Sequence, residues 1–143
     1  MTENNFHLFN EKFNVSNYLI MESDHWRLSL RPFQATLGSA ILSLNRPCES
    51  FADITTGEST NLKDIVSYTE KQIKIAFDYD KINYLMLMMV DPHLHFHVIP
   101  RYSRDIDFGG VMWSDGNWPT APDLGGTELK AEDAKKIIKK IRG

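Results

Sequence analysis

The 143-residue chain has a single cysteine, Cys48. A lone thiol closes no internal disulfide and has no second cysteine with which to hold a metal, so a disulfide-stapled scaffold and a cysteine-type zinc site are both excluded. Beside Pro47, Cys48 reads as a small, partly buried residue. Long apolar runs are missing too. The longest, YLMLMMV from Tyr84 to Val90, is far short of the ~20 residues a membrane-spanning helix needs. The start, MTENNFHLFNEKF, has neither the basic residues nor the apolar stretch of a secretory signal, which makes a cytoplasmic location the expectation. Positive charge is not in excess. With 16 Lys and Arg against 19 Asp and Glu, the net charge of -3 provides no broad basic field for long nucleic acid. Small anionic ligands remain open, because a local cluster of donors binds them whatever the net charge.

What is present is an ordinary globular composition, 42% hydrophobic and 24% charged, with no repeat and no linker. That implies one domain over residues 1–143, with a core of about 17–104 and a loop-rich tail and C-terminal helix over 105–143. The first 17 residues read as an irregular arm or short helix packing Phe6, Leu8 and Phe13 onto the body. Asn17–Glu22 and Trp26–Leu30 read as strands joined by the turn Ser23-Asp24-His25, where His25, like His7, is expected to be solvated. Ala40–Leu44, between Gly38 and Pro47, reads as a strand ending in a basic corner at Arg46. Thr55 and Glu58 have capping-box spacing. The apolar residues Leu62, Ile65, Val66, Ile73, Ala76 and Phe77 then recur at helical spacing, predicting a helix over residues 56–79. Asn83–Val90, apolar on both faces, reads as a central strand covered on each side, with Met86, Met88 and Met89 filling core. A basic helix from Leu129 to Ile141 closes the chain, with Ala134, Ile137, Ile138 and Ile141 on one side.

The densest chemical signal is DPHLHFHVIPRY, residues 91–102, which spaces three of the five histidines two apart. In a strand, alternate side chains share a face, so His93, His95 and His97 line one side while Leu94, Phe96 and Val98 enter the core. Three neighbouring imidazoles have too many polar nitrogens for packing alone to explain. Two uses compete. Zinc can be held by histidines at i and i+2, yet further ligands at suitable spacing are scarce, with only Asp91 and distant His25 on offer. A phosphate site needs less: an unprotonated imidazole nitrogen as nucleophile, its other N–H held by a carbonyl, and neighbours that donate to phosphate oxygens.

The run His93-Leu94-His95-Phe96-His97-Val98-Ile99 resembles the alternating signature of the histidine-triad proteins. LGSAILSLNRP, FADIT and the amphipathic helix follow that family's order upstream, so the likeness covers roughly residues 17–104. The resemblance implies an α+β fold in which an antiparallel sheet of about five strands carries one long helix on one face and a C-terminal helix. It also implies a homodimer, with contacts at Asn83–Val90 and at the helix face near Tyr68 and Gln72. The implied activity is a nucleotide hydrolase or nucleotidyl transferase cleaving dinucleoside polyphosphates or nucleoside phosphoramidates through a nucleotidyl-histidine. His95 would be the nucleophile; His97 and His93 would contact the phosphate and assist proton traffic. No cofactor is implied beyond a divalent cation carried by the substrate phosphates. A nucleotide-binding protein with little turnover, or a zinc-dependent hydrolase, is the alternative.

Three positions depart from the family pattern. Ser39 stands where a fourth histidine is common, and Arg31 where the ribose contact is usually acidic or Asn. Met88-Met89-Val90-Asp91-Pro92 runs into His93 with no room for the usual phosphate loop. Arg46, Arg101, Arg104 and Gly109-Gly110 are the candidate substitutes as phosphate donors. Within the tail, Trp113 and Trp118 are expected to pack on the protein, the other role open to them being to wall a nucleotide pocket.

Overall fold

The structure, a computed structural model, describes residues 1–143. Helix α1 (Thr2–Lys12) leads into strands β1 (Leu19–Glu22), β2 (Trp26–Leu30), β3 (Phe33–Gln34) and β4 (Ala40–Leu44). A 3-10 turn at Phe51–Asp53 precedes helix α2 (Thr56–Phe77). Strands β5 (Lys81–Leu85), β6 (His95–Arg101), β7 (Ile106–Phe108), β8 (Val111–Trp113) and β9 (Thr127–Glu128) and helix α3 (Ala131–Arg142) complete the chain. The main sheet has five antiparallel strands in the order β1-β2-β4-β6-β5. The fold is therefore α+β, with the expected five-stranded sheet.

Each face of the sheet has its own cover. Trp26, Leu28 and Leu30 of β2, Leu42 and Leu44 of β4, and Leu94 and Val98 at β6 meet Ile65, Ile73 and Phe77 of α2 and Ala134, Ile137 and Ile141 of α3 in one core. Full burial of each large side chain there contributes roughly 1.5–3 kcal/mol. The opposite face is covered by α1. Phe9, Phe13 and Val15 cluster there with Ile41.

Helix α2 starts where its sequence says it should. Thr55 accepts from the Glu58 amide at 3.1 Å, and the Glu58 carboxylate accepts from the Thr55 amide at 2.9 Å, closing the capping box. That carboxylate, buried, also takes both Nε and Nη2 of Arg46 at 2.7 and 2.9 Å, which holds its pKa down at about 2. The helix stops at Phe77, two residues before the expected end, because Asp78 turns left-handed at φ 51°.

Several sequence-based expectations are corrected. Strand β5 is a sheet edge, not a central strand, and it ends at Leu85. Met86–Leu94 forms a connection of its own, so there is room for a loop before β6. Met89 is 89% exposed and Val90 82%, so Met89 fills no core. The apolar run alone did not distinguish a central strand from an edge strand with an exposed extension. At the N-terminus, a regular helix presents Phe9 inward and leaves Leu8 half exposed, because helical geometry groups residues 6, 9 and 13 on one side. The tail is more ordered than its composition suggested. It holds the β7–β8 hairpin, and β9 pairs with β3 where Gly126, at φ 60°, passes so close to the Gln34 backbone that an added Cβ would lie 2.6 Å from it.

Because Glu58 closes the capping box and pairs with Arg46 at once, Glu58→Ala is expected to lower stability by roughly 2–4 kcal/mol. Urea denaturation followed by circular dichroism measures this, and Thr55→Ala alone should cost only about 1 kcal/mol.

Candidate active site

The pairing of β4 with β6 sets the site. Ile41 lies opposite His97 and Ser43 opposite His95, and on the next strand Ser29 lies opposite Ile41 and Arg27 opposite Ser43. Directly paired residues of antiparallel strands share a face. The histidines thus look across the sheet at Ser43 and Ile41, then at Arg27 and Ser29. His93 precedes the strand itself but keeps the same side, with its ring 4.8 Å from that of Phe6 and 5.0 Å from that of Phe9. Phe9 also packs on His95 at 4.8 Å, and Phe13 on His97 at 6.1 Å. All three histidines are brought together and buried, His95 completely.

Hydrogen bonds assign the ring nitrogens. A carbonyl only accepts, so the contact of His95 Nδ1 with the His93 carbonyl makes Nδ1 the protonated nitrogen. His95 Nε2 is then a lone pair, buried and without a partner in the protein. By the same argument His93 carries its proton on Nε2, which donates to the Leu44 carbonyl at 2.9 Å, and its Nδ1 is unpartnered. Arg31 Nε donates to His97 Nδ1 at 3.3 Å, so the neutral His97 ring has its proton on Nε2. Burial, above all, lowers the pKa of each histidine, to about 4 for His93 and His97. For His97, neighbouring His95 and the Arg31 guanidinium add to the effect. At neutral pH the row is uncharged, the state a nucleophilic imidazole requires.

The other candidate residues divide. Arg31 is buried beside His97 and also donates to the Phe33 carbonyl. Ser39 is on the same side of β4, but its hydroxyl donates to the Thr36 carbonyl and accepts from the Thr36 amide, closing the turn before the strand. Arg46 is bound to Glu58 at the head of α2, and Arg101 is tied through Nε and Nη2 to the buried carboxylate of Asp115 and to the Thr120 carbonyl. Neither belongs to the histidine row. Arg104 lies against Asp78 and Asp80 at the surface, and Gly109-Gly110 forms the exposed tip of the β7–β8 hairpin. Trp113 packs against the core shared with α2 and α3, on the far side of the sheet from the row. Trp118 is partly exposed.

Arg27, Ser29 and Ser43 were not singled out from the sequence. Their signal is there, however: WRLSLR alternates apolar and polar residues, and SAILSL places serines two positions either side of Ile41, so polar residues of three strands fall on one face.

No family model and no curated protein matches the chain. Solved structures do. A hypothetical histidine triad nucleotide-binding protein from Sulfolobus tokodaii superposes with a TM-score of 0.68 at 22% identity, over 87% of this chain and 80% of that one. A histidine triad protein from Sinorhizobium meliloti gives 0.70 at 21% identity, over 90% of each chain. Diadenosine triphosphate hydrolase from Plasmodium falciparum gives 0.65 at 11% identity, over 88% of this chain and 74% of that one. The chain has the histidine-triad fold.

The histidines also set a pH dependence of stability. Their folded pKa values lie below the ordinary 6.5, so between pH 6.5 and about 4 the unfolded chain binds protons that the folded chain refuses. Stability should therefore be full above pH 6.5 and fall as the pH drops through that window. His93→Phe, which removes one of these groups, should flatten the slope of melting temperature against pH between 6.5 and 4.5.

Proposed function

We propose that this chain is a histidine-triad protein that cleaves a nucleoside phosphate anhydride through a nucleotidyl-histidine. The supporting observation is the orientation of His95, whose Nδ1–H is held by the His93 carbonyl while Nε2 is left free on the face shared with Arg27 and Arg31. Nε2 attacks the phosphorus nearest the nucleoside, the bond from that phosphorus to the bridging oxygen breaks, and the rest of the phosphate chain leaves. Water then cleaves the N–P bond, giving a nucleoside monophosphate, a proton and the free imidazole.

The histidines do not have equal roles in this scheme. With Arg31 donating to its Nδ1, neutral His97 offers a hydrogen bond from Nε2 but no spare proton, since losing that one would leave an imidazolate. His97 is a stabiliser of charge on the phosphoryl oxygens. The scheme therefore favours leaving groups that depart as anions, such as the phosphate of a dinucleoside polyphosphate, over the amine of a phosphoramidate, which needs protonation. Any metal arrives with the substrate phosphates.

Access is the second requirement. Phe6, Phe9 and Phe13 lie over the rings, so α1 must move for a nucleotide to reach His95. Its polar ties to the body are few: Lys12 to Asp91 at 2.7 Å, Asn10 to Arg27 at 2.7 Å, and Asn5 to Glu49 at 3.0 Å. Lifting it also exposes Phe9 and Phe13, at roughly 1.5–3 kcal/mol each, a cost that bound nucleotide must offset. The same closure favours the second reading, a protein that binds nucleotide and turns it over slowly.

Mixing with diadenosine tetraphosphate, quenching within seconds and intact-mass spectrometry should reveal an acid-labile nucleotidyl adduct. His95→Asn should abolish both adduct and turnover, and His97→Ala should slow turnover by about 10²–10³. Nucleotide binding without adduct in the unaltered protein would establish the second reading, and dependence on stoichiometric zinc would overturn both.

We also propose a homodimer built on the β5 edge, whose unpaired backbone continues into exposed Leu87, Met89 and Val90. Light scattering at micromolar concentration should give about twice the 16.5 kDa chain mass. Tyr84→Lys with Leu87→Lys should give the monomer.

A further inference from the structure

Six buried side-chain polar atoms lack a hydrogen-bond partner in the protein, and five of them lie on the histidine face of the sheet: Arg27 Nε, Ser29 Oγ, Ser43 Oγ, His93 Nδ1 and His95 Nε2. Unpaired buried polar atoms are rare and costly, so five gathered on one surface under one helix call for a common cause. The charges point the same way. Arg27 and Arg31 are both at least nine-tenths buried, and no carboxylate lies within salt-bridge distance of either. Glu22 and Asp91 act on them only at longer range, and burial lowers both arginine pKa values. Two buried guanidinium groups beside three neutral imidazoles form a face with uncompensated positive charge, and a buried cation is tolerated when its partner is an anion.

The two arginines sit at different places. Arg31 is against His97, where the proposed scheme puts the reacting phosphate. Arg27 is in register with Ser43 and His95, two strand spacings or roughly 10 Å from His95 across the sheet. It is held there by α1, through Nη2 to Asn10 Oδ1 at 2.7 Å and through the Phe6 ring, 5.6 Å from the guanidinium carbon. Lifting α1 for substrate access releases both holds at once. We infer that Arg27, with the hydroxyls of Ser43 and Ser29, forms a second anion subsite across the sheet from His95, so that the substrate carries at least one further phosphate beyond the one attacked. The inference rests on the proposed phosphoryl chemistry at His95 for its place in catalysis. The anion site itself stands on the arginine and the two serines.

The subsite is tested without turnover, by calorimetric titration with inorganic tripolyphosphate and with orthophosphate. The unaltered protein should bind tripolyphosphate roughly tenfold more tightly, the value of one charge-assisted contact. Arg27→Gln should remove that preference while leaving orthophosphate affinity within about twofold, since Arg31 and the histidines remain. Asn10→Ala, which removes the helix's competing hold on Arg27, should strengthen tripolyphosphate binding several-fold. Arg27→Met should hold or raise the melting temperature, because it removes a buried cation with no carboxylate partner. No preference in the unaltered protein, a preference that survives Arg27→Gln, or a melting temperature that collapses in Arg27→Met would overturn the inference and leave Arg27 a structural tie to α1. Failure of the nucleotidyl adduct at His95 is a separate outcome: an Arg27-dependent preference would then remain, in a polyphosphate-binding protein rather than an enzyme.

Discussion

One register underlies the rest of the molecule: Ala40 to Ser43 of β4 paired antiparallel with Val98 to His95 of β6. Side chains in a strand alternate with a period of two, so a slip of one residue would drive three imidazoles into the core beneath α2 and bring Leu94, Phe96 and Val98 out under α1. The register resists this from both faces. Leu94 and Val98 are fully buried among the residues of α2 and α3, and on the other side His93 and His95 find backbone carbonyls while His97 accepts from Arg31. Leu44, whose carbonyl holds His93, ends the very strand whose pairing defines the row. Hydrophobic burial fixes which way the histidines point; the backbone then fixes which nitrogen of His93 and His95 carries the proton, and Arg31 does so for His97.

The two faces of the sheet differ in how complete they are. On the helix side, the buried carboxylate of Glu58 meets a guanidinium and a backbone amide, and the Tyr102 hydroxyl donates to the Leu37 carbonyl at 2.7 Å. Of the buried side-chain polar atoms there, the Trp113 indole N–H is the one left without a partner in the protein. On the histidine side, the imidazoles and Arg27 are packed against phenylalanine rings that satisfy none of their hydrogen bonds, and the hydroxyls of Ser29 and Ser43 are unpartnered. A face built only for stability would carry leucines at positions 27, 29 and 43. Retaining polar groups in a dry layer sacrifices stability for a surface that is good when something anionic lies on it.

Most of this architecture was legible in the sequence because it rests on local, periodic signals. The capping box at Thr55 and Glu58, the apolar stripe of α2 and the alternating histidines each announce themselves over a few residues. What escaped was non-local. Whether Asn83–Val90 was central or at an edge depends on strand order, which no residue within it encodes. The Arg27 contribution required knowing that β2 pairs with β4 and β4 with β6, so that polar residues scattered over 70 positions fall on one surface. Arg46 and Arg101 were expected among the phosphate donors because a free arginine and one already committed to a buried carboxylate look identical in sequence. The α1 closure was hidden for a related reason: eleven residues with few apolar side chains give a weak helical period, and only the sheet beneath shows what Phe6, Phe9 and Phe13 are for.

Closure by α1 would also reconcile two demands of the proposed chemistry. A nucleophilic imidazole benefits from a dry, low-dielectric site that keeps it neutral, whereas a phosphate-bearing substrate needs cations, which such a site disfavours. Phenylalanines over neutral histidines satisfy the first condition in the closed protein, and Arg27, clasped by Asn10, holds the second in reserve. In the proposed scheme, lifting α1 weakens the desolvation that lowers the His93 pKa, while Arg31, donating to Nδ1, keeps His97 neutral with its one proton on Nε2. On that proposal opening and anion binding reinforce each other: each phosphate charge favours the open face, where Arg27 is released from Asn10 to meet it, and its departure favours closure over an uncharged row.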